Sequence, residues 1–259
     1  MDLGIGGKSA IVCAAGTDLG RAAALALAGE HVEVAITEAD EARAGEVSAQ
    51  IQAATGASVT TVVCDITTPG GRAAALAACP APDILINHAP GPPMGDFRNW
   101  SHQQWLGAVE ANMLTAIELI KATLDAMIER GFGRIVNITS QSVRAPMANL
   151  DLSNAARSGL TGFVAGVARY PRGADVTINN LLPGTFETGP LRAYIETNAR
   201  NEGIDAQTFT ARLLGDNPLQ RLGKPEEFGA LCAFICSRQA GYINGQNILI
   251  DGGNFPGAL

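Results

Sequence analysis

Residues 9–21 read SAIVCAAGTDLGR, and this stretch decides the fold. Its apolar first part, residues 9–13, predicts a buried β-strand, and the alanine-rich residues 19–28 predict a helix directly after it. The turn between them keeps two glycines, Gly16 and Gly20. A turn of this kind can hold a phosphate group, because the free N–H groups and the dipole at a helix N-terminus attract an anion.

The same alternation of strand and helix continues along the chain. Further apolar runs predict strands at residues 32–36, 59–63, 84–86, 134–139, 176–182 and 248–250. Helical patterns lie between them, with long helices predicted at residues 102–129 and 152–169. This alternation is typical of a doubly wound α/β fold, in which helices flank both faces of a seven-stranded, mainly parallel sheet. No linker or repeat divides the sequence, so we expect one domain.

The overall charge and the cysteines argue against several classes of function. With 25 acidic and 18 basic residues, the 259-residue chain has a formal net charge of −7, which disfavours nucleic acid as a partner. The sequence shows neither a signal peptide nor an apolar run that could span a membrane, and we expect a cytoplasmic protein without a membrane partner. The five cysteines form no C-x-x-C pair, so we expect reduced thiols and no metal site.

An acidic residue, Glu38, stands after the second predicted strand, about twenty residues beyond the glycine turn. At this position a carboxylate would accept hydrogen bonds from the adenosine ribose hydroxyls and would repel the 2′-phosphate of NADP(H). Residue 39 is alanine, so no arginine follows directly to bind that phosphate. The sequence therefore favours NAD(H) over NADP(H). The alternative is that Glu38 only caps the start of a solvent-exposed helix.

Short motifs follow these elements in order along the rest of the chain. They are Asp65-Ile66 after the third strand, Asn87-His88-Ala89-Pro90 after the fourth, Asn112 in the long helix, Ser140 after the fifth, Pro183-Gly184 with Thr188 after the sixth, and residues 221–227 and 251–253 near the end. In this order and spacing they resemble the short-chain dehydrogenase/reductase family over essentially the full chain. The resemblance implies the Rossmann form of the doubly wound fold for residues 1–259.

The resemblance also implies a nicotinamide cofactor and a set of residues around it. That set is Ala14, Gly16, Thr17, Asp18, Leu19, Gly20, Glu38, Asp65, Ile66, Asn87, Ala89, Pro183, Gly184 and Thr188. The activity implied is oxidoreduction of a ketone or secondary alcohol beneath a substrate lid, residues 190–217. Apolar residues in that segment suggest a partly apolar small-molecule substrate. The family's common assembly implies a homo-oligomer, either a tetramer or a dimer.

The sequence departs from the family where proton transfer is expected. The family places a tyrosine, and a lysine four residues later, at the start of the helix that follows the catalytic serine. This chain has Leu150 and Asn154 in that register, and no Y-x-x-x-K occurs anywhere in it. Leucine cannot carry a proton, and asparagine cannot supply the positive charge that lowers a neighbouring pKa. The polar residues left as candidates for catalysis are Ser140, Asn112 and Asn154.

Three other positions bear on the site. Asp18 replaces a family glycine, and its carboxylate would either oppose a diphosphate or cap the helix. Ala14 replaces another glycine and is expected to add only a methyl group. Arg157, one helical turn beyond Asn154, could return a cation to this face, but a surface or interface ion pair is the favoured interpretation.

Three functions remain open from the sequence. The first is an atypical NAD(H)-dependent oxidoreductase in which Ser140 and bound water transfer the proton to or from the substrate oxygen. The second is a catalytically impaired protein that binds a nucleotide or metabolite, and the third is a lyase or isomerase that reuses the pocket without hydride transfer. The first is favoured because Glu38, Asp65 and the turn from Pro183 to Thr188 are all retained.

Overall fold

A seven-stranded, fully parallel sheet forms the centre of the computed structural model, which describes residues 1–257. Its strands are β1 (Ser9–Val12), β2 (Glu33–Glu38), β3 (Thr60–Val63), β4 (Ile84–Asn87), β5 (Phe132–Ile138), β6 (Asp175–Pro183) and β7 (Asn247–Ile250). They lie side by side in the order β3-β2-β1-β4-β5-β6-β7. The order reverses between β1 and β4, and in such sheets ligands bind at the carboxyl ends of the strands beside the reversal. Residues 258–259 of the expected domain lie outside the described residues.

Helices cover both faces of this sheet. They are α1 (Asp18–Gly29), α2 (Glu41–Thr55), α3 (Pro69–Ala78), α4 (His102–Val109), α5 (Thr115–Arg130), α6 (Asp151–Val167), α7 (Gly189–Glu202), α8 (Ala206–Leu214) and α9 (Pro225–Ile235). One apolar core lies under α1, α2 and α9, and a second lies under α5 and α6. Successive residues of β1 and β4 point into the two cores in turn, which explains why these strands are continuously apolar. In residues 1–257 no helix has the length and apolar character needed to cross a membrane.

The predicted doubly wound fold and its seven strands are confirmed, but the single long helix predicted at residues 102–129 is wrong. A π-helical segment, Glu110–Leu114, separates α4 from α5. The Thr115 hydroxyl donates to the carbonyl oxygen of Glu110 at 2.9 Å within this wider turn. The extra residue in the turn brings Asn112 to a buried position, with its Nδ2 3.4 Å from the carbonyl oxygen of Pro90.

Two further expectations need correction. A sheet covered on both faces predicts buried strands, yet β3 lies at the sheet edge and most of its residues are exposed. Residues 190–217 carry only a weak helical pattern, yet they contain α7 and α8. These two helices pack on each other through the rings of Tyr194 and Phe209, whose centroids lie 6.0 Å apart.

Four asparagines form a line across the sheet, which we call the asparagine ladder. The strand register places Asn87 opposite Asn137, Asn137 opposite Asn180, and Asn180 opposite Asn247. The Nδ2 of each donates to the Oδ1 of the next, at 2.8, 2.9 and 2.7 Å. Because a buried amide without a partner is costly, the ladder opposes any slip in the register of β4, β5, β6 and β7.

The ladder predicts a large loss of stability from one substitution at its centre. Asn137→Ala removes the acceptor of Asn87 and the donor to Asn180, both buried. We expect the free energy of unfolding to fall by about 2–4 kcal/mol, because two buried polar groups lose their partners. Urea denaturation measures this loss, with Asn201→Ala on the exposed surface of α7 as the control, expected to stay within about 0.5 kcal/mol of wild type. Equal midpoints for the two variants would contradict the prediction.

Candidate functional site

The turn after β1 is held tightly by its own backbone and by β2. The Ala14 N–H donates to Thr37 Oγ1 at 3.1 Å, and the Ala14 carbonyl accepts from Thr17 Oγ1 at 2.8 Å. A β-carbon on Gly20 would lie 2.5 Å from the same carbonyl oxygen, so this position requires glycine. Ala14 itself has a φ of 49°, a left-handed conformation that costs a residue with a β-carbon roughly 1–2 kcal/mol. The expectation that Ala14 adds only a methyl group is therefore wrong, because the substitution also strains the backbone.

Glu38 folds back over this turn. One carboxylate oxygen, Oε2, accepts from the N–H of Gly16 at 3.0 Å, and the other accepts from the N–H of Asp40 at 3.2 Å. The cap of α2 is Asp40, which accepts from the N–H of Arg43 at 2.8 Å. Glu38 is therefore more than a helix cap, since it joins the end of β2 to the turn that precedes α1.

Arg43 is a residue that the sequence analysis missed. It lies one turn into α2, and its Cδ would be 2.5 Å from a β-carbon placed on Gly16. The sequence argument considered only residue 39, directly after Glu38, whereas the helix brings Arg43 back to the same place. A cation is thus available beside the carboxylate that was expected to exclude a 2′-phosphate.

Asp18 does not cap α1, contrary to one of the two interpretations of its carboxylate. The cap is Thr17, whose Oγ1 accepts from the N–H of Gly20 at 3.2 Å. Asp18 Oδ2 accepts instead from the N–H of Gly189, the first residue of α7, at 2.9 Å. Its Oδ1 accepts from Arg21 Nη2 at 2.7 Å. The carboxylate therefore ties the start of α1 to the start of the predicted lid.

We call the turn between β1 and α1, residues 13–17, the nucleotide turn, because its backbone, with the first amides of α1, has features that a dinucleotide would require. The N–H groups of Asp18 and Leu19 donate to no acceptor within residues 1–257, as expected of amides at the N-terminus of a helix. The Leu19 side chain packs on the first core. The free amides and the close approach at Gly20 fit a diphosphate, whereas the carboxylates of Asp18 and Glu38 reduce that fit.

The predicted adenine contacts follow β3. Asp65 is exposed, and its Oδ1 accepts from the N–H and the hydroxyl of Thr67 at 2.9 and 2.7 Å. Ile66 beside it is buried against the second core. The structure therefore uses Asp65 to shape its own turn, and Asp65 keeps its second carboxylate oxygen, Oδ2, free for a ligand.

The turn after β6 approaches the end of β7 closely. Pro183 ends β6, and the Gly184 N–H donates to the carbonyl oxygen of Ile250 at 2.9 Å. A β-carbon on Gly184 would lie 2.6 Å from the Cβ of Asp251, so this position too requires glycine. Thr188 caps α7 by accepting from the backbone of the next turn, which places its hydroxyl at the N-terminus of that helix.

His88 is held neutral at the carboxyl end of β4, between the buried residues Asn87 and Ala89. Burial, and after it the positive charge of Arg157, lower the pKa of His88 from 6.5 to about 3, and a hydrogen bond with the backbone of Ile138 opposes the drop. The Nδ1 of His88 is buried without a partner, although part of the side chain remains accessible. A neutral imidazole at this position can donate or accept a hydrogen bond but carries no charge near neutral pH.

Arg157 is buried, contrary to the surface ion pair favoured from the sequence. Only 7% of the residue is exposed. Its Nη1 donates to the carbonyl oxygens of Ile138 and Thr139, both at 2.9 Å, and its Nε donates to Ser153 Oγ at 3.1 Å. Within residues 1–257 no carboxylate pairs with it, and burial lowers its pKa to about 10. Arg157 thus places beside the end of β5 a positive charge that is held by carbonyl and hydroxyl oxygens and not by a carboxylate of the described residues.

The three candidates for catalysis come from three segments: Ser140 from the turn after β5, Asn154 from α6, and Asn112 from the π-helical segment. Ser140 lies two residues after the end of β5, and its Oγ accepts from the N–H of Ser142 at 3.1 Å, which leaves the hydroxyl proton free to donate. Asn154 lies on the first turn of α6, and its Nδ2 donates to the carbonyl oxygen of Met147 at 2.9 Å. Leu150 precedes α6 and offers no side-chain cap. The buried Asn112 faces Pro90 from the π-helical segment.

Buried polar atoms without partners concentrate in this region. Within residues 1–257 they belong to Asn87, His88, Asn112, Ser142 and Asn154, and elsewhere only to Trp100 and Thr177. A cavity of about 20 Å³ lies among the first three and Arg157, which is space for about one water molecule. Native structures leave few buried polar groups unpaired, so such a concentration points to a place where a ligand or water binds.

Comparison with known proteins identifies the family. A family model described as enoyl-(acyl carrier protein) reductase matches residues 14–254. The chain belongs to the short-chain dehydrogenase/reductase family. The family predicted from the motifs is therefore confirmed, and with it the general class, an oxidoreductase.

Relatives of the chain cover nearly all of it. It is 31% identical over 255 residues to 3-oxoacyl-(acyl-carrier-protein) reductase FabG of Escherichia coli (strain K12). The aligned part covers 96% of this chain and 98% of that protein. It is 30% identical over 252 residues to dehydrogenase/reductase SDR family member 4 of Bos taurus, with 95% and 87% covered. The fold matches L-sorbose reductase from Gluconobacter frateurii, crystallised with NADPH and L-sorbose, with a TM-score of 0.94, 24% identity, and 99% and 100% of the two chains covered. That NADPH complex lends no support to a preference for NAD(H).

The neutral state of His88 predicts how stability changes with pH. The folded pKa, about 3, lies below the usual value of 6.5, so the unfolded chain binds this proton first as the pH falls. Stability is therefore expected to decline as the pH falls from 6.5 towards 3, by at most about 1.4 kcal/mol per pH unit from this one group. The accessible part of the side chain reduces that slope.

Urea denaturation at several pH values between 6.5 and 4 measures this effect. His88→Gln should flatten the decline, whereas His102→Gln, which changes an exposed histidine at the start of α4, should leave it as in wild type. If both variants follow the wild-type curve, His88 is not the group responsible.

Proposed function

We propose that the protein is an NAD(H)-dependent oxidoreductase that interconverts a ketone and a secondary alcohol through an atypical proton-transfer site. The observation that carries this proposal is the turn between β1 and α1, which is followed by the free amides of Asp18 and Leu19 and in which the N–H of Gly16 donates to a carboxylate, Glu38, from the next strand. Amides at a helix N-terminus suit a diphosphate, and a carboxylate at that strand end suits ribose hydroxyls. When bound, the nicotinamide would accept or deliver a hydride.

Three groups of residues would hold the cofactor. The proposed set is Glu38, Asp65 and Ile66 at the adenosine end, Ala14, Gly16, Thr17, Asp18, Leu19 and Gly20 at the diphosphate, and Asn87, Ala89, Pro183, Gly184 and Thr188 towards the nicotinamide. All of them are last residues of strands, residues of the turns that follow those strands, or first residues of helices. This common edge supports the assignment, because ligands of doubly wound sheets bind there.

Proton transfer would depend on residues other than a tyrosine. Ser140 has a hydroxyl proton free to donate to a substrate oxygen, and the cation of Arg157 lies beside the same strand end. Asn112 and Asn154 would orient water through their unpartnered Oδ1 atoms. Loss of a positioned acid costs about 10²–10⁴ in rate, which cofactor and substrate positioning can outweigh. We therefore expect slow but measurable turnover.

Two other functions each have an observation in their favour. A nucleotide- or metabolite-binding protein with impaired catalysis is favoured by Leu150, which offers no acid where one is expected. A lyase or isomerase is favoured by the buried cation of Arg157, since a fixed positive charge would stabilise an enolate without hydride transfer. Both would keep the pocket of the proposed oxidoreductase and lack its redox step.

The setting of the enzyme is also proposed. We assign residues 1–259 to one Rossmann-type domain, with residues 190–217 as the substrate lid over a partly apolar small molecule. Exposed small residues along α6, among them Gly162 and Gly166, support assembly of two or four copies through this helix and α5. The five free thiols support a location in the reducing cytoplasm.

A fluorescence titration with NADH and NADPH tests cofactor binding and its preference. We expect the wild type to bind NADH at least about 10-fold more tightly, because the Glu38 carboxylate repels a 2′-phosphate. Glu38→Ser should reduce or reverse this ratio, since it removes the repulsion and leaves Arg43 beside the phosphate. The double variant Glu38→Ser with Arg43→Ala is the matched control and should lose the gain in NADPH affinity. Tighter binding of NADPH by the wild type would contradict the preference, and no binding of either cofactor would contradict the function.

Turnover of a panel of ketones with NADH tests the chemistry. Ser140→Ala should lower kcat about 100-fold or more with little change in KM, because the hydroxyl acts on charge that develops in the transition state. Ser158→Ala, on the exposed face of α6, is the control and should leave both constants unchanged. An unchanged kcat for Ser140→Ala would show that another group transfers the proton. Cofactor binding without turnover of any ketone would favour the alternative function, a nucleotide- or metabolite-binding protein with impaired catalysis.

A further inference from the structure

The carboxylate of Asp18 lies between the N-termini of two helices. It is in the first turn of α1, and it accepts a hydrogen bond from the N–H of Gly189, which begins α7. Helix N-termini carry partial positive charge, so a carboxylate in this position is stabilised from both sides. Arg21 completes the arrangement with an ion pair at 2.7 Å. The carboxylate therefore occupies a position where two helix N-termini would also stabilise the negative charge of a bound anion.

The same place is where the proposed cofactor needs room for its own negative charge. The amides of Asp18 and Leu19, both free within residues 1–257, are donors for a phosphate. Thr188, the cap of α7, stands directly before Gly189. A diphosphate held by these groups would bring two further negative charges close to the Asp18 carboxylate. Like charges at such short range oppose one another strongly when water is partly excluded.

Helix capping does not explain why an acid stands here. Thr17 already caps α1 through the bond to Gly20, and Thr188 already caps α7 through the bond to Leu191. Only 15% of the Asp18 side chain is exposed, so it is not a solvated surface acid. What remains distinctive about Asp18 is the contact it makes across the cleft, from the nucleotide turn to the proposed lid.

We propose that the Asp18 carboxylate is an internal competitor of the cofactor diphosphate, and that it ties the first turn of α7 to the nucleotide turn while the cleft is free of nucleotide. This inference rests on the proposed function. A groove of about 620 Å³, lined by Asp18, Arg21, Glu187 and Arg192 among others, adjoins the carboxylate. The groove gives the side chain space to move aside with Arg21 when phosphates arrive. Asp18 thereby determines cofactor affinity.

Two variants separate the charge of Asp18 from its contact with the lid. Asp18→Asn keeps a carbonyl oxygen that can accept from the Gly189 N–H but removes the charge. Asp18→Gly removes both the oxygen that accepts from the Gly189 N–H and the negative charge. We expect the Kd for NADH to fall about 10-fold or more in each, because each removes the like charge. Asp125→Asn, which changes an exposed acid of α5 outside this groove, is the control for net charge and should bind NADH as the wild type does.

Hydrogen exchange of the Gly189 amide, measured without nucleotide, supplies the second readout. It should be slow in wild type and Asp18→Asn and faster in Asp18→Gly, since only the last lacks an acceptor. An unchanged or weaker NADH affinity in both variants would overturn the competition, and equal exchange in all three proteins would overturn the tie to α7. If the wild type binds NADH and the variants bind it equally, the inference fails while the proposed function stands. If none of the proteins binds NADH or NADPH, the proposed function fails, and the inference fails with it.

Discussion

Buried amides that must find partners fix the centre of this molecule. The asparagine ladder joins β4, β5, β6 and β7 side chain to side chain, and no position in it can change without leaving a neighbour unpaired. Since side chains alternate along a strand, a slip of one residue would move each amide to the opposite face of the sheet. The positions of Ser140 after β5 and Gly184 after β6 therefore depend on a network that contains neither residue.

The chemistry of the cleft follows from two largely buried charges, of which only Asp18 has a charged partner among the described residues. Arg157 is balanced by backbone carbonyls and Ser153 in place of a carboxylate. Asp18 is balanced by Arg21 and by helix N-termini. Burying a charge is expensive unless hydrogen bonds compensate it, and both side chains have those bonds. The result is a cation near the end of β5 and an ion pair near the start of α1.

The sequence was sufficient for the fold but not for these charges. The strand positions along the chain and the parallel sheet could be predicted because apolar runs alternate with helical patterns. Arg157 could not be placed, since a charge on a helix is most often exposed and only tertiary contacts reveal the carbonyls that receive it. Arg43 was missed because a helical turn, and not adjacency in the chain, returns it to Gly16. The π-helical segment at Asn112 also has no local signal, as its sequence suits an ordinary helix.

The burial of Arg157 also bears on how this sequence can evolve. Its side chain runs back along α6 to Ser153, so the guanidinium lies close to position 154. A lysine at that position would place an ammonium beside a fixed cation, and like charges repel. The cost of Asn154→Lys therefore depends on which residue stands at position 157. The two positions are coupled, so the effect of a replacement at one cannot be judged without the other.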